Sequence, residues 1–263
     1  MKLYLDPGHG GSDPGASGNG LKEKDVTLDI ALRIRSILTN NFEDVEVKMS
    51  RTSDSNKNLQ QRTNEANNWD ADYYVSIHCN AFNGSAQGYE DYIHNQLSNS
   101  SRTADYRNIM HEEITKVNGL TNRGKRKANF HVLRETRMSA FLSENGFIDN
   151  IQDAALMKQS SWKQNVAQGH VNGIARAFNL KPKNGGTGKL YKVIAGSFKA
   201  KDNADERVTF LSAKGLDAYV TTVTISGEPW YRVQVGAFSN RENAESRLRA
   251  VENTGVDGFI VEE

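Results

Sequence analysis

Two histidines and two glutamates occupy positions from which a folded chain could bring them to one edge of a sheet. His78 lies near the end of an apolar run over residues 73–80, and His9 follows a shorter run in the glycine-rich stretch DPGHGG. Glu23 opens the next helical pattern, and Glu144 ends a further apolar run. Open α/β sheets bind ligands at the carboxyl edge of their strands. The four side chains are therefore candidates for one site.

Two imidazoles and one carboxylate form a ligand set typical of catalytic zinc, with the fourth position open to water. His9, Glu23 and His78 are the candidate ligands. Zinc lowers the pKa of water from about 15.7 toward roughly 7. A further carboxylate must then take the proton, and Glu144 is the candidate. Spacing alone leaves the alternative open, because unconnected loop and core residues could give the same pattern.

Three polar residues near these positions are candidates for contacts with a substrate. Arg51 follows the second predicted strand and Arg62 lies in a helical pattern, so both could bind carboxylates. The alternative for both is a structural ion pair. Asn80 could donate to the substrate or orient His78, and its alternative role is to cap a turn.

Short apolar runs alternate with helical patterns through residues 1–178. Strands are predicted at 3–5, 45–49, 73–79 and 141–142, and helices near 26–38, 59–69, 101–117 and 162–178. Such alternation predicts an α/β fold with a mixed, mostly parallel sheet flanked by helices.

A polar segment at residues 179–189 contains a proline and three glycines and has no apolar period. We interpret it as a flexible linker. It separates a predicted catalytic domain, residues 1–178, from a smaller domain, residues 190–263.

The smaller domain repeats itself with an offset of 40 residues. The identical pairs are Tyr191 and Tyr231, Val193 and Val233, Gly196 and Gly236, Phe198 and Phe238, Asn203 and Asn243, Ala204 and Ala244, Arg207 and Arg247, Gly215 and Gly255, and Asp217 and Asp257. Each copy has the pattern strand, helix, strand. Neither copy could bury its helix alone, so we expect one βαββαβ, ferredoxin-like domain.

The composition excludes several functions. A formal net charge of +1 argues against nucleic-acid binding, which requires a basic surplus. No run approaches the roughly 18 apolar residues of a membrane span, and the N-terminus has no apolar core of a secretory signal. The single cysteine, Cys79, cannot form an internal disulfide and is expected to be a small buried side chain.

Four motifs occur in the order typical of the zinc-dependent N-acetylmuramoyl-L-alanine amidases, and residues 1–178 resemble that family. They are DPGHGG at 6–11, LKEKD at 21–25, SIHCNA at 76–81 and ENGF at 144–147. The resemblance implies one zinc ion held by His9, Glu23 and His78, with Glu144 catalytic. Asn145 replaces an apolar or small residue common in the family, which changes none of these roles.

Residues 190–261 resemble the SPOR (sporulation-related repeat) domain, a family that binds peptidoglycan, notably glycan strands without stem peptides. The stretch VQVGAF at 233–238 is its most typical part. The helix-free face of the predicted sheet should carry residues that could contact glycan. These candidates are Lys192, Trp230, Arg232 and Gln234.

Together the resemblances predict a cell-wall hydrolase that cuts between muramic acid and L-alanine. The alternatives are a zinc peptidase acting within the stem peptide and a catalytically silent wall-binding protein. We expect a monomer with peptidoglycan as partner, without nucleic acid and without membrane insertion. The missing signal predicts synthesis in the cytoplasm and release at lysis, as for a phage endolysin or a mother-cell lysis enzyme.

Overall fold

The computed structural model describes residues 1–183, 190–216, 218–238 and 241–262. Contacts between Cα atoms divide the chain into two units, one formed by Met1–Thr39 and Asp44–Leu180 and the other by Asn40–Glu43 and Lys181–Glu263. Residues 184–189 of the predicted linker lie outside the described part of the chain.

The first unit contains a six-stranded sheet of the order β4-β1-β5-β8-β6-β7 and a small hairpin formed by β2 and β3. Its strands are β1 (Lys2–Pro7), β2 (Ser17–Gly18), β3 (Leu21–Lys22), β4 (Glu46–Met49), β5 (Tyr73–Asn80), β6 (Tyr89–His94), β7 (Asn122–Ala128) and β8 (Ser139–Phe147). The strands β4, β1, β5 and β8 run parallel, and β6 runs antiparallel to β8. The predicted mixed, mostly parallel sheet is confirmed.

Six helices accompany this sheet. They are α1 (Glu23–Asn41), α2 (Leu59–Asn68), α3 (Arg102–Thr115), α4 (His131–Arg134), α5 (Ile151–Met157) and α6 (Ser160–Phe178). No helix among the described residues is both long and apolar enough to cross a membrane.

Both faces of the sheet are covered, because alternate side chains of each strand point to opposite sides. Tyr74 of β5 and Leu142 of β8 belong to a buried cluster that includes side chains of α2 and α4. The neighbouring Ser143 points the other way and contacts His170 of α6, with Ser143 Oγ 3.0 Å from His170 Nε2.

Helices α3 and α6 pack so closely that α6 needs glycine at the contact. A Cβ atom at Gly169 would lie 2.9 Å from the Cα atom of Ile114, and one at Gly173 would lie 3.0 Å from the Cα atom of Met110. Real Cβ atoms rarely approach backbone so closely, so these glycines set the spacing of the two helices.

The sequence did not predict β6 and β7. Strand β6 has the sequence YEDYIH, and β7 has the sequence NRGKRKA with four cationic residues. Strand β7 lies at the edge of the sheet, where charged side chains can remain in water. The alternation rule fails there because β7 buries too little apolar surface to show a period.

The second unit is the predicted βαββαβ domain. It consists of β9 (Tyr191–Phe198), α7 (Lys201–Ala213), β10 (Tyr219–Ile225), β11 (Glu228–Phe238), α8 (Arg241–Glu252) and β12 (Phe259–Glu262). Its antiparallel sheet has the order β10-β11-β9-β12. Both halves contribute to one core, which includes Val193, Leu211, Val233 and Val251.

The repeated residues of the two halves form equivalent contacts. Gly196 has φ 126°, and a Cβ atom there would lie 2.8 Å from the ring of Phe198. The guanidinium carbon of Arg207 lies 5.4 Å from the centre of that ring. The second half repeats the arrangement with Gly236, Phe238 and Arg247. The guanidinium carbon of Arg247 lies 6.0 Å from the centre of the Phe238 ring. The identical residues of the two copies therefore preserve the same contacts between a glycine, a phenylalanine and an arginine.

Replacing Gly169 with alanine should destabilise the first unit, although alanine favours helix by about 1 kcal/mol. Overpacking against α3 should outweigh that gain and lower the free energy of unfolding by about 1 to 3 kcal/mol. Thermal unfolding of the variant measures the effect. The control Asn165→Ala changes an exposed position of α6 and should be neutral or slightly stabilising. Equal stability of both variants would contradict the packing argument.

Candidate functional site

The structure brings His9, Glu23 and His78 together although they are far apart in sequence. One possible ligand atom from each residue lies within 4.8 Å of the other two. His9 Nε2 is 3.1 Å from Glu23 Oε2, and His78 Nδ1 is 2.9 Å from Glu23 Oε1. His9 follows β1, Glu23 begins α1 and His78 lies on β5. The three side chains meet at the carboxyl edge of the sheet.

Glycines leave the space that the two imidazoles occupy. A Cβ atom at Gly8 would overlap the ring of His78, and one at Gly15 would lie 2.6 Å from both His9 Cδ2 and Glu23 Oε2. His9 itself has φ 60°, a left-handed conformation that is unusual for a residue with a side chain.

The carboxylate of Glu23 is fixed by backbone donors as well as by the histidines. The N–H group of Cys79 donates to Oε1 at 3.0 Å, and that of Ala16 donates to Oε2 at 2.8 Å. Burial raises the pKa of Glu23, but the hydrogen bonds and charges of His78 and His9 outweigh it and hold this pKa well below its usual range. Glu23 is therefore an ionised carboxylate.

Asp13 holds the other side of the His9 ring, a contact that the sequence analysis did not predict. Its Oδ2 lies 2.8 Å from His9 Nδ1, which leaves Nε2 directed toward Glu23. Burial lowers the pKa of His9, but Glu23 and Asp13 outweigh it and raise this pKa. A carboxylate on the far nitrogen of a histidine is the usual outer partner of a metal ligand.

Two imidazole nitrogens and one carboxylate oxygen fit zinc, whose catalytic sites use such donors and leave one position open. The outer partner at His9 and the space opened by Gly8 and Gly15 fit the same role.

Arg51 and Arg62 are inside the protein, which corrects the expectation that they contact substrate. Each is only 3% exposed. Arg62 pairs with Asp6 at 2.6 Å and donates to the carbonyl of His9 at 2.7 Å. Arg51 donates to the carbonyls of Gly8 and Lys24 at 2.8 and 2.7 Å. Their donors are occupied within the fold, so both residues brace the loop that carries His9.

Glu144 lies beside this cluster on the next strand. In the parallel pairing of β5 and β8 it is the register partner of His78, so both side chains are on one face. Its Oε2 atom is buried and accepts no hydrogen bond from the described residues. Burial, then the charges of Glu23 and Glu90, raises the pKa of Glu144 well above its usual range. A carboxyl group in this environment suits proton transfer near neutral pH.

Glu90 is the register partner of Glu144 on the other side, and the sequence analysis did not predict its role. It is 3% exposed but fully partnered, because Arg123 Nε and Arg126 Nε lie 2.8 and 2.9 Å from Oε2. Asn80 Nδ2 donates to Oε1 at 3.1 Å. Asn80 thus contacts Glu90 rather than the ring of His78, and its own Oδ1 accepts from the following N–H group.

Asn145 is also part of the frame around the site. It is fully buried, and its Nδ2 donates to the carbonyl of His78 at 3.1 Å and to Ser143 Oγ at 3.0 Å. This side chain ties β8 to β5 where their candidate side chains pair. The available sequence signal was a polar residue next to Glu144, at a position where the family often has an apolar or small one.

In the second unit the glycan-contact candidates lie on the sheet face away from the core cluster. Tyr191, Val193, Tyr231 and Val233 pack on the core side, and alternation places Lys192, Trp230 and Arg232 opposite. Lys199 Nζ lies 5.5 Å from the centre of the Trp230 ring.

Gln234 shares this face but is less available to a ligand than expected. It is 4% exposed, and its Nε2 donates to the hydroxyl of Tyr219 at 2.6 Å. Irregular pairing of β11 with β9 on both sides of this residue accompanies its burial.

Comparisons with known proteins agree with these two units. A family model described as N-acetylmuramoyl-L-alanine amidase matches residues 3–176, and a model described as SPOR domain matches residues 187–262. The chain is 51% identical to the sporulation-specific N-acetylmuramoyl-L-alanine amidase of Bacillus subtilis over 220 residues, 84% of each chain. It is 41% identical to the endolysin of Bacillus phage SPP1 over 249 residues, 87% of this chain and 91% of the endolysin.

A solved structure gives the same result for the first unit. The catalytic domain of the N-acetylmuramoyl-L-alanine amidase CwlV from Bacillus (Paenibacillus) polymyxa aligns with a TM-score of 0.65 and 36% identity. The alignment covers 68% of this chain and 99% of that domain.

Replacing Gly8 with alanine should displace the imidazole of His78 and weaken zinc binding by about tenfold or more, the scale of outer-sphere changes. Zinc affinity measured against a competing chelator tests this. The control is Gly119→Ala, where a Cβ atom meets nothing within 4 Å but φ is 64°, so it adds backbone strain away from the site. Equal zinc affinity of the two variants would show that Gly8 does not position His78.

Proposed function

The chain belongs to the N-acetylmuramoyl-L-alanine amidase family and is a cell-wall amidase with a peptidoglycan-binding SPOR domain, and we propose that it uses one zinc ion, held by His9, Glu23 and His78. The bond cut joins the lactyl group of muramic acid to L-alanine. The observation that carries the zinc proposal is the convergence of one ligand atom from each of these residues within 4.8 Å.

When bound, zinc supplies Lewis acidity, which polarises a carbonyl group and lowers the pKa of water. The protein contributes a fixed frame for this chemistry. Glu23 is held by two backbone N–H groups, and His9 is held by Asp13. Such preorganisation keeps reacting groups aligned without further reorganisation.

Glu144 is proposed as the proton carrier. It takes a proton from the attacking water and gives it to the nitrogen of the leaving L-alanine. Two properties support this role: its position beside His78 and the buried Oε2 atom without a hydrogen-bond donor among the described residues. Glu90 is less suited to this role, because its carboxylate is bound by two arginines and would lose these contacts on protonation.

We further propose that residues 1–178 form the catalytic domain and residues 190–263 the wall-binding domain, joined by residues 179–189. Attachment to an insoluble polymer raises the local substrate concentration without adding contacts at the reacting bond. Lys192, Trp230 and Arg232 are the proposed glycan contacts, whereas the amide group of Gln234 is bonded to the hydroxyl of Tyr219.

The setting proposed for this activity is lysis. One relative is named as sporulation-specific and another as a phage endolysin. We propose that the protein acts as a monomer.

The function is tested by end-group analysis of digested peptidoglycan. New N-terminal L-alanine should appear, disappear with a chelator and return on addition of zinc. A different new terminus would indicate a peptidase acting within the stem, and no new terminus would leave only wall binding. Termini unaffected by chelation would refute zinc dependence.

The variant Glu144→Gln should lower the rate of alanine release by about a hundredfold or more, because it removes proton transfer. Zinc content, measured on the same samples, should be unchanged. The control Glu135→Gln alters an exposed carboxylate paired with Arg134 and should keep full activity. Activity of the Glu144 variant near that of the control would exclude the assigned role.

Trp230→Ala should weaken binding of the full-length protein to purified walls by about tenfold, as for other aromatic anchors. Co-sedimentation measures it. Phe210→Ala is the matched control, because Phe210 is also aromatic and exposed but belongs to α7, which covers the other face of the sheet. Equal losses in both variants would mean that the helix-free face is not the binding surface.

A further inference from the structure

Two arginines, Arg123 and Arg126, lie beside Glu90 and have no role in the proposed cleavage of the amide bond. Arg123 and Arg126 both contact Glu90 Oε2, and Tyr92 and Asn80 donate to Oε1 at 2.7 and 3.1 Å. Two guanidinium groups therefore share one carboxylate.

Both guanidinium groups remain accessible. The side chains of Arg123 and Arg126 are 31% and 45% exposed, whereas Glu90 between them is 4% exposed. Arg123 is held further by the ring of Phe147, 4.8 Å from its guanidinium carbon, and by the carbonyl of Gln87 at 3.2 Å. Within the described residues, Nη1 and Nη2 of Arg126 donate no hydrogen bond. A buried carboxylate thus orients two cations whose outer edges face solvent.

The strand order places these cations on the side of Glu144 away from the proposed zinc ligands. From β1, which precedes His9, and β5, which carries His78, the sheet continues with β8, then β6, then β7. Glu144 on β8 pairs with Glu90 on β6, and Tyr92 on β6 pairs with Arg126 on β7. Glu144, Glu90 and Arg126 therefore share one face and form a row leading away from the ligands.

Glu144, the proposed proton donor to the leaving amine, is the register partner of Glu90, so a stem peptide that runs from Glu144 across β6 and β7 meets these cations. Neighbouring strands are about 4.8 Å apart, so β7 lies about 10 Å from β8. An extended chain covers about 3.5 Å per residue. The cations are therefore within reach of the stem residues that directly follow L-alanine, and a carboxylate on the first of these would meet the guanidinium donors.

We propose that Arg126, with Arg123, binds a carboxylate of the stem peptide near L-alanine and makes the enzyme discriminate free from amidated stems. This rests on the proposed function. Guanidinium groups recognise carboxylates through paired N–H donors, which a carboxamide matches poorly. The arginines at positions 51 and 62 cannot do this, because they are buried and their donors are occupied.

The test is the dissociation constant of a synthetic stem peptide that begins with L-alanine, measured by calorimetry with the zinc-loaded full-length protein. The peptide is compared in two forms, with a free carboxylate and with a carboxamide on its second residue. The wild type should bind the acid about tenfold more tightly, the scale of a hydrogen bond to a charged group. Arg126→Gln should remove the preference, and Arg126→Lys should retain part of it.

Lys127→Gln is the matched control, because it removes the same charge from the next residue of β7, on the opposite face of the strand. It should keep the wild-type preference. Equal binding of the two peptides by the wild type, or a preference that persists in Arg126→Gln, would overturn the proposal. The proposed function is judged separately by release of alanine termini, so either idea can fail without the other. Thermal unfolding of each variant shows that the fold is intact.

Discussion

The carbonyl groups of residues 7–9 all accept hydrogen bonds from guanidinium groups, and the geometry of the site depends on this. Arg62 and Arg51 donate to the carbonyl of Pro7 at 2.8 and 3.2 Å, Arg51 to that of Gly8 and Arg62 to that of His9. Hydrogen bonds with a charged partner contribute about 1.5 to 3 kcal/mol each. The left-handed conformation of His9 costs energy and persists because these contacts fix the loop on both sides.

The same loop, residues 7–9, also positions the imidazole of His78. The N–H group of Gly8 donates to the carbonyl of Ile77 at 3.0 Å, and the missing side chain of Gly8 is the space in which the ring of His78 lies. Thr27 of α1 also donates to the carbonyl of Gly8 at 3.0 Å. The loop thereby couples β1, β5 and α1, the three elements that supply the proposed ligands, so a change in its backbone would move all three side chains together.

The sequence predicted the parts of this arrangement that follow from periodicity and strand ends. His9, His78 and Glu144 lie at the ends of apolar runs, and Glu23 begins a helix, so they were candidates for one site. Spacing alone left unconnected residues as the alternative, and the family resemblance favoured the site. For Arg51 and Arg62 the sequence left substrate contact and a structural ion pair open, because an arginine that braces the fold and one that binds substrate look alike in sequence. Burial of both residues and the ion pair of Arg62 with Asp6 favour the structural role. Glu90 was missed for another reason: it lies on β6, whose polar pattern gave no strand signal. Burial of Gln234 accompanies irregular pairing of β11 with β9, which no local pattern encodes.

Two carboxylates on adjacent strands illustrate how the fold assigns different chemistry to one residue type. Glu90 and Glu144 are register partners, and ionising both would place like charges side by side. Glu90 receives hydrogen bonds from Arg123, Tyr92 and Asn80. Burial raises its pKa, but the hydrogen bonds of Arg123 and Tyr92 and the charges of Arg126 and Arg123 outweigh burial and lower it. The buried oxygen of Glu144 has no such donor among the described residues. The protein thus keeps the charge on the carboxylate that orients cations and leaves its neighbour free to exchange a proton, a separation typical of acid–base sites.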